Sequence, residues 1–310
     1  MFRSATIYQL TIPAQALVGR LQAAMESPEA QFAPPLEYQP IARGFVPPLG
    51  ADTEDMLYTA NGGLLMCLRT DEKAVPASYL KQQVVQRRAA AESEGSEFTK
   101  VDERLAREEI TEQLLPGIPP ATTLHYAYLD QQLAMLFVGA TGDAAEGFTE
   151  QLGKALGGAA PLTLLGTEVD PCDKFTAWVK DPTLLGGDLF LGDQGELKHP
   201  GMEGGCGIIN VKREELESSE ITALIDAGRQ VCSVALDHEQ LHFRLTADLG
   251  LRNLRLTDYA KAEAADDDGQ VATPDEFAAM VVAIREVMDA LAVLLGGWPT
   301  QEVLDLEGAA

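Results

Sequence analysis

Apolar and polar positions alternate over residues 5–12, the period of a half-buried strand. Pro13 then suits the first turn of a helix that apolar spacing carries to about Met25. Residues 27–50 hold six prolines and show no period, so a long irregular connection is expected there. Two short apolar runs, 55–59 and 64–70, flank Asn61-Gly62-Gly63, a strong hairpin signal. Residues 76–92 and 100–115 have helical spacing but scarcely any apolar face. Such a pair is expected to project as an arm rather than to enter a core. The prolines of "LLPGIPP" end the second helix at residues 114–120.

A second hairpin is predicted over 122–129 and 133–141, then a helix over 143–156 and a short strand over 162–165. A further helix is expected near 170–180, and a Gly-rich stretch, 186–207, connects strands. Residues 219–227 predict a short helix with Ile221, Leu224 and Ile225 inward and Gly228 as its stop. A meander of three strands follows, over 229–236, 240–246 and 251–257. "EAADDDGQ" is expected as a solvated loop. Thr273-Pro274-Asp275-Glu276 has the form of a capping box. It opens a helix with the stripe Phe277, Met280, Val281, Ile284, Met288, Leu291 and Leu295.

This order of elements predicts an α+β protein with antiparallel sheets. Three parts are expected: a central domain of residues 1–75 and 121–168, a helical arm of 76–120, and a base domain of 169–310. A length of 310 residues agrees with more than one core, and 46% hydrophobic residues suffice to fill them. The apolar segment 278–295 contains Arg285, Glu286 and Asp289, which argues against a membrane span. Cys67, Cys172, Cys206 and Cys232 form no CxxC pair and read as buried thiols of a reducing cytoplasm.

Motifs for catalysis fail on inspection. No GxSxG elbow occurs. The glycines before Lys154 have the wrong spacing for a P-loop, and Ala155 replaces the magnesium-binding hydroxyl. His238 and His242 flank the start of a strand, where four residues span roughly 13 Å, too far for one metal. In Asp266-Asp267-Asp268-Gly269 the glycine aligns Ala264 with the first calcium ligand, so that loop also fails. No cofactor is expected.

The net charge of −25 repels nucleic acid in bulk. Locally the meander differs. Between 212 and 255, six Lys/Arg face eight Asp/Glu, close to balance. Alternation puts Leu241, Phe243 and Leu245 on one face of the middle strand, and His242 and Arg244 on the other. Cys232, Val234 and Leu236 turn inward in the strand before, leaving Arg229 and Ser233 outward. Leu254 and Leu256 do so in the strand after, leaving Asn253 and Arg255 outward. One face thus collects Arg229, Arg244, Arg255 and His242, with Lys212 and Arg213 just upstream. Two readings stay open from these residues: a charged solvent face, or a surface for phosphates.

Several segments resemble the RdgC family of recombination-associated proteins. They are "GFVPPLG" (44–50), "YTANGGLLMCLRTDEKAVPASYLKQQV" (58–84), "EITEQLLPG" (109–117) and "VKREELESSEITALIDAGRQVCSVALDH" (211–238). The likeness runs in order along almost the whole chain. It implies a cytoplasmic, nucleoid-associated homodimer shaped as a ring. Double-stranded DNA would pass through the hole without sequence preference, limiting access of a RecA-type recombinase. The family also carries an exonuclease label, for which no motif appears here.

By the resemblance, Lys212 and Arg213 match the family's basic pair and Arg229 its basic position after the Ala-Gly stop. Arg3, Arg43, Arg69, Lys73, Lys81, Arg87 and Arg88 are secondary candidates for the hole or the arm. Two segments depart from the family pattern: the arm tip, Gly117-Ile118-Pro119-Pro120, and residues 89–94, which are not Lys-rich. A second reading follows from the charge: an acidic interaction protein or DNA mimic that acts on a recombinase or nuclease. Pro47-Pro48 stiffens its loop without offering chemistry, which suits a structural or interface element.

Overall fold

The structure, a computed structural model, describes residues 3–186, 188–200, 207–257 and 273–299. The "EAADDDGQ" loop and Cys206 lie outside the described residues. The fold is α+β, with one antiparallel sheet of twelve strands and, among the described residues, seven α-helices. The strands are β1 (Ser4–Leu10), β2 (Ile41–Val46), β3 (Tyr58–Ala60), β4 (Gly63–Glu72), β5 (Ala121–Asp130), β6 (Met135–Val138), β7 (Leu162–Leu164), β8 (Phe190–Lys198), β9 (Ile209–Lys212), β10 (Gln230–Asp237), β11 (Leu241–Thr246) and β12 (Leu251–Leu256). Their main path is β2-β4-β5-β6-β1-β12-β11-β10-β8-β9, with β3 on β4 and β7 on β1. The helices are α1 (Ala14–Met25), α2 (Ala77–Ser93), α3 (Lys100–Leu114), α4 (Asp143–Ala155), α5 (Pro171–Lys180), α6 (Ser219–Asp226) and α7 (Pro274–Leu295).

Two cores explain the two kinds of strand. In the β1–β6 half both faces are covered. Leu65, Cys67, Tyr126, Tyr128, Met135 and Phe137 point to one core, while Leu64, Met66, Leu68, Ala127, Leu129, Leu136 and Val138 point to the other. The second core is closed by Leu17 and Leu21 of α1 and Phe148 and Leu152 of α4. Burial on two faces is why β4 reads Leu64-Leu65-Met66-Cys67-Leu68 without alternation. The β8–β12 half contributes to the first core alone, against α5, α6 and α7. Its strands therefore alternate, as Leu241-His242-Phe243-Arg244-Leu245 does.

The hairpin at Asn61-Gly62 has φ of 48° and 78° at its two central residues, the left-handed pair that a two-residue turn of matching twist requires. Helix α7 docks on this hairpin. The Asn61 side-chain amide donates to the Ala278 carbonyl at 3.1 Å, and Arg285 donates to the Asn61 carbonyl at 2.9 Å. Arg285 also pairs with Asp130, whose carboxylate is fully buried, at 2.8 Å. The other oxygen of Asp130 accepts the Gln132 and Leu133 amides and so shapes the β5–β6 turn. Phe277 meets Tyr128 edge-on, with ring centroids 5.8 Å apart. Thr273 caps the start of α7, its hydroxyl accepting from the Glu276 amide at 3.2 Å, which is one of the two bonds of the expected capping box.

Helices α2 and α3 are inserted at the end of the β4–β5 ribbon, where Glu72 pairs with Ala121. Val84, Ala106 and Ile110 are the buried contacts of this arm, and a Thr99–Asp102 capping box starts α3.

One expectation is corrected. Residues 27–50 are not irregular throughout, because β2 runs from Ile41 to Val46 in register with Glu72 to Cys67. The chain just before it folds alongside: Phe32 N donates to Phe45 O, and Phe45 N to Ala30 O. So "GFV" closes a strand, and "PPLG" is the turn that ends it, with Gly50 N donating to Pro47 O at 3.4 Å. Pro48 is buried in that turn. Replacing Pro47 and Pro48 by Ala is expected to cost about 1 kcal/mol through unfolded-chain entropy, seen as a melting temperature lower by a few degrees.

Candidate nucleic-acid interface

The face of β8–β12 turned away from the first core carries no residue of the second core. Register decides what it displays. Arg244 of β11 stands opposite Ala235 on one side and Arg252 on the other. His242 stands opposite Arg255. On β9, Val211 turns inward, so Lys212 turns out beside Gln194. Lys212, Arg244 and Arg255 are thus gathered on one face, and Arg213 follows directly, exposed, with a left-handed φ of 57°.

Arg252 joins them, although simple alternation with Leu254 and Leu256 turns it inward. Asn253 adopts φ of 53°, and the register shifts between His242 and Arg244 as in a bulge. The signal was the spacing Leu251-Arg252-Asn253-Leu254, three steps between leucines instead of two. Two arginines directly opposite repel. Arg252 is drawn off by the Ala5 carbonyl at 3.0 Å and Asp248 at 3.2 Å, which leaves Arg244 the position.

Arg244 is less open than expected. Gln194 accepts from the side-chain amide of Asn253 at 3.4 Å, although β10 and β11 lie between their strands. Gly192 to Gln194 form a bulge opposite Ala235, and the two amides meet above the Ala235–Arg244 row. Arg244 Nε is buried without an acceptor among the described residues. Ser233, expected outward, is buried as well. Arg255 and Lys212 are exposed, with no acidic partner among the described residues.

The other candidates are held elsewhere. Arg229 donates to the Gly207 carbonyl. Lys81 is exposed on α2. Arg87 pairs with Glu109, and Arg88 with Glu103 at 2.9 Å, both across the arm. Arg69 is clamped by Asp71 at 2.8 Å and lies 4.3 Å from the centre of the Phe32 ring. This clamp holds the Asp71 carboxyl below the usual carboxylate range. Lys73 donates to the carbonyls of Leu36 and Glu37. His242 Nδ1 contacts Asp237 at 2.7 Å, while His238 lies in the β10–β11 turn. Among the described residues, no three His, Cys, Asp or Glu side chains gather as a metal site, and no helix is long and apolar enough to cross a membrane.

A family model described as "Putative exonuclease, RdgC" matches residues 1–298. The chain belongs to the RdgC family. Its similarity to curated members spans most of both chains. A recombination-associated protein RdgC from Halorhodospira halophila is 33% identical over 274 residues, 86% of this chain and 88% of that one. One from Laribacter hongkongensis is 28% identical over 96% of this chain and 98% of its own. Another, from Sodalis glossinidius, is 28% identical over 96% of each. The RdgC model thus spans both halves of the sheet and the arm between β4 and β5.

Proposed function

We propose that this RdgC family member binds double-stranded DNA without sequence preference, through the open face of β8–β12, as a ring-shaped homodimer. In that state it limits access of a RecA-type recombinase to DNA. The observation that carries this reading is that Lys212 and Arg255 stand exposed, without an acidic partner among the described residues, on the face that also holds Arg244, in a chain of net charge −25. Cations held side by side on one sheet face repel one another, and the phosphates of a polyanion relieve that repulsion. The recombination role is supported by the names of its relatives. A duplex threaded through a ring needs no base contacts, because phosphate contacts alone position it.

Phosphate binding of this kind releases counterions, so affinity falls with salt at a log–log slope of about 0.9 per phosphate neutralised. Arg255→Glu and Lys212→Glu, both at exposed positions, are expected to weaken duplex binding about tenfold each. Each should also lower the salt slope by about one, irrespective of sequence. Salt-titrated binding to linear and closed circular duplex, with solution mass measured in parallel, checks this. Slower release from the circle indicates enclosure. No duplex binding at low salt, with a recombinase or nuclease captured in the absence of DNA, would assign the acidic interaction role instead.

A further inference from the structure

Two half-buried cysteines of the base half lie together. Cys172 is the second residue of α5, and Cys232 is on β10, 60 positions later. Their Sγ atoms are 3.0 Å apart. Contacts that involve no sulfur hold helix to strand at this point. Val231 N donates to Thr176 Oγ1 at 2.9 Å, and Gln230 Nε2 donates to Asp173 Oδ1 at 2.9 Å. The thiols are therefore kept within bonding reach by the fold itself. Partial exposure leaves them open to a small reagent, whereas Cys67 is buried. Neither sulfur belongs to the proposed DNA face.

We propose that Cys172 and Cys232 form a reversible disulfide that fastens α5 to β10, with a low-molecular-weight disulfide of the glutathione type as oxidant. One cysteine releases its proton to solvent, and its thiolate attacks the oxidant. A protein–glutathione S–S bond forms, the oxidant's own S–S bond breaks, and one glutathione thiolate leaves. The other cysteine, deprotonated in turn, attacks the protein sulfur of that mixed disulfide and expels the second glutathione thiolate. Two protein thiols have then lost two electrons and two protons, and one oxidant molecule has become two thiols. Burial, reinforced by the neighbouring Cys232, pushes the Cys172 thiol up to about 12. Exchange is accordingly slow near neutral pH and accelerates with pH.

The test incubates the full chain with oxidised glutathione at about pH 7 and about pH 9, blocks free thiols, and maps peptides by mass without reductant. A dominant Cys172–Cys232 link is expected, forming at least about tenfold faster at the higher pH. The melting temperature should rise by about 5 °C and return with dithiothreitol. The link should persist in Cys67→Ser/Cys206→Ser and vanish in Cys172→Ser and in Cys232→Ser. Links directed to Cys67 or Cys206, stable glutathione adducts without a protein link, or thiols that stay unreacted would each overturn the assignment. Mapping of the unmodified sequence decides the matter even if a variant misfolds.

Discussion

Arg285→Ala is expected to cost about 3–5 kcal/mol of folding stability, the largest effect of any single surface-reaching side chain described above. The reason is what it leaves behind. Asp130 is 0% exposed, and Arg285 is its cationic partner, reaching it with both Nε and Nη2, at 3.2 and 2.8 Å. Without the guanidinium, a carboxylate stays in a dry site with two amides and no counter-charge. The Asn61 carbonyl loses its donor in the same step, so α7 loosens from the β3–β4 hairpin. Denaturant unfolding at neutral pH measures the cost. Arg285→Ala combined with Asp130→Asn should recover part of it, since the stranded charge is then gone. A single variant that melts like the natural chain would show that water or another cation reaches Asp130.

Gly44→Ala is expected to destabilise by about 3 kcal/mol, although it adds only one methyl group. An added Cβ would sit 2.3 Å from Phe32 Cα and 2.7 Å from Gln31 C. Both are backbone atoms, fixed by the bonds between Phe32 and Phe45 and between Phe45 and Ala30, so neither can swing aside as a side chain would. Gly19 supplies the contrast. It is exposed in the middle of α1, with nothing within 4 Å of a built Cβ. Gly19→Ala should stabilise by about 0.5–1 kcal/mol through helix propensity alone. Opposite signs for the same substitution, read by melting temperature, separate close approach from backbone flexibility. Equal effects would mean that the 30–32 segment yields.

Much of this architecture was visible as pattern. The Asn61-Gly62 hairpin, the arm helices and the capped α7 rest on local chemistry that a linear reading senses directly. The alternation in β11 identified the inner Leu241, Phe243 and Leu245 and the outer His242 and Arg244. What escaped depends on contacts across the chain. β2 is hidden because its flanks are prolines and its partners lie on β4. Arg252 was hidden by the Asn253 bulge, which reverses parity in a single step. The hydrogen bond between Asn253 and Gln194, across two intervening strands, joins residues 59 positions apart. Nor does charge counting show that Arg87 and Arg88 are taken up by Glu109 and Glu103, because those pairings form only once the two arm helices fold back on each other.

The strand β1 is shared by both halves of the sheet. It pairs with β6 and β7 along Thr6 to Leu10, and with β12 at only two residue pairs, Ser4 with Arg252 and Ala5 with Leu251. A span of 247 positions separates Arg252 from the Ala5 carbonyl it binds. During synthesis at about 5–20 residues per second, the early strand waits tens of seconds for that partner. The β1–β6 half can assemble on the ribosome with β7 covering Tyr8 to Leu10, while the Ser4–Ala5 end of the same edge stays unclaimed, and that end is where a nascent chain of this fold is most open to a chaperone or to a wrong neighbour.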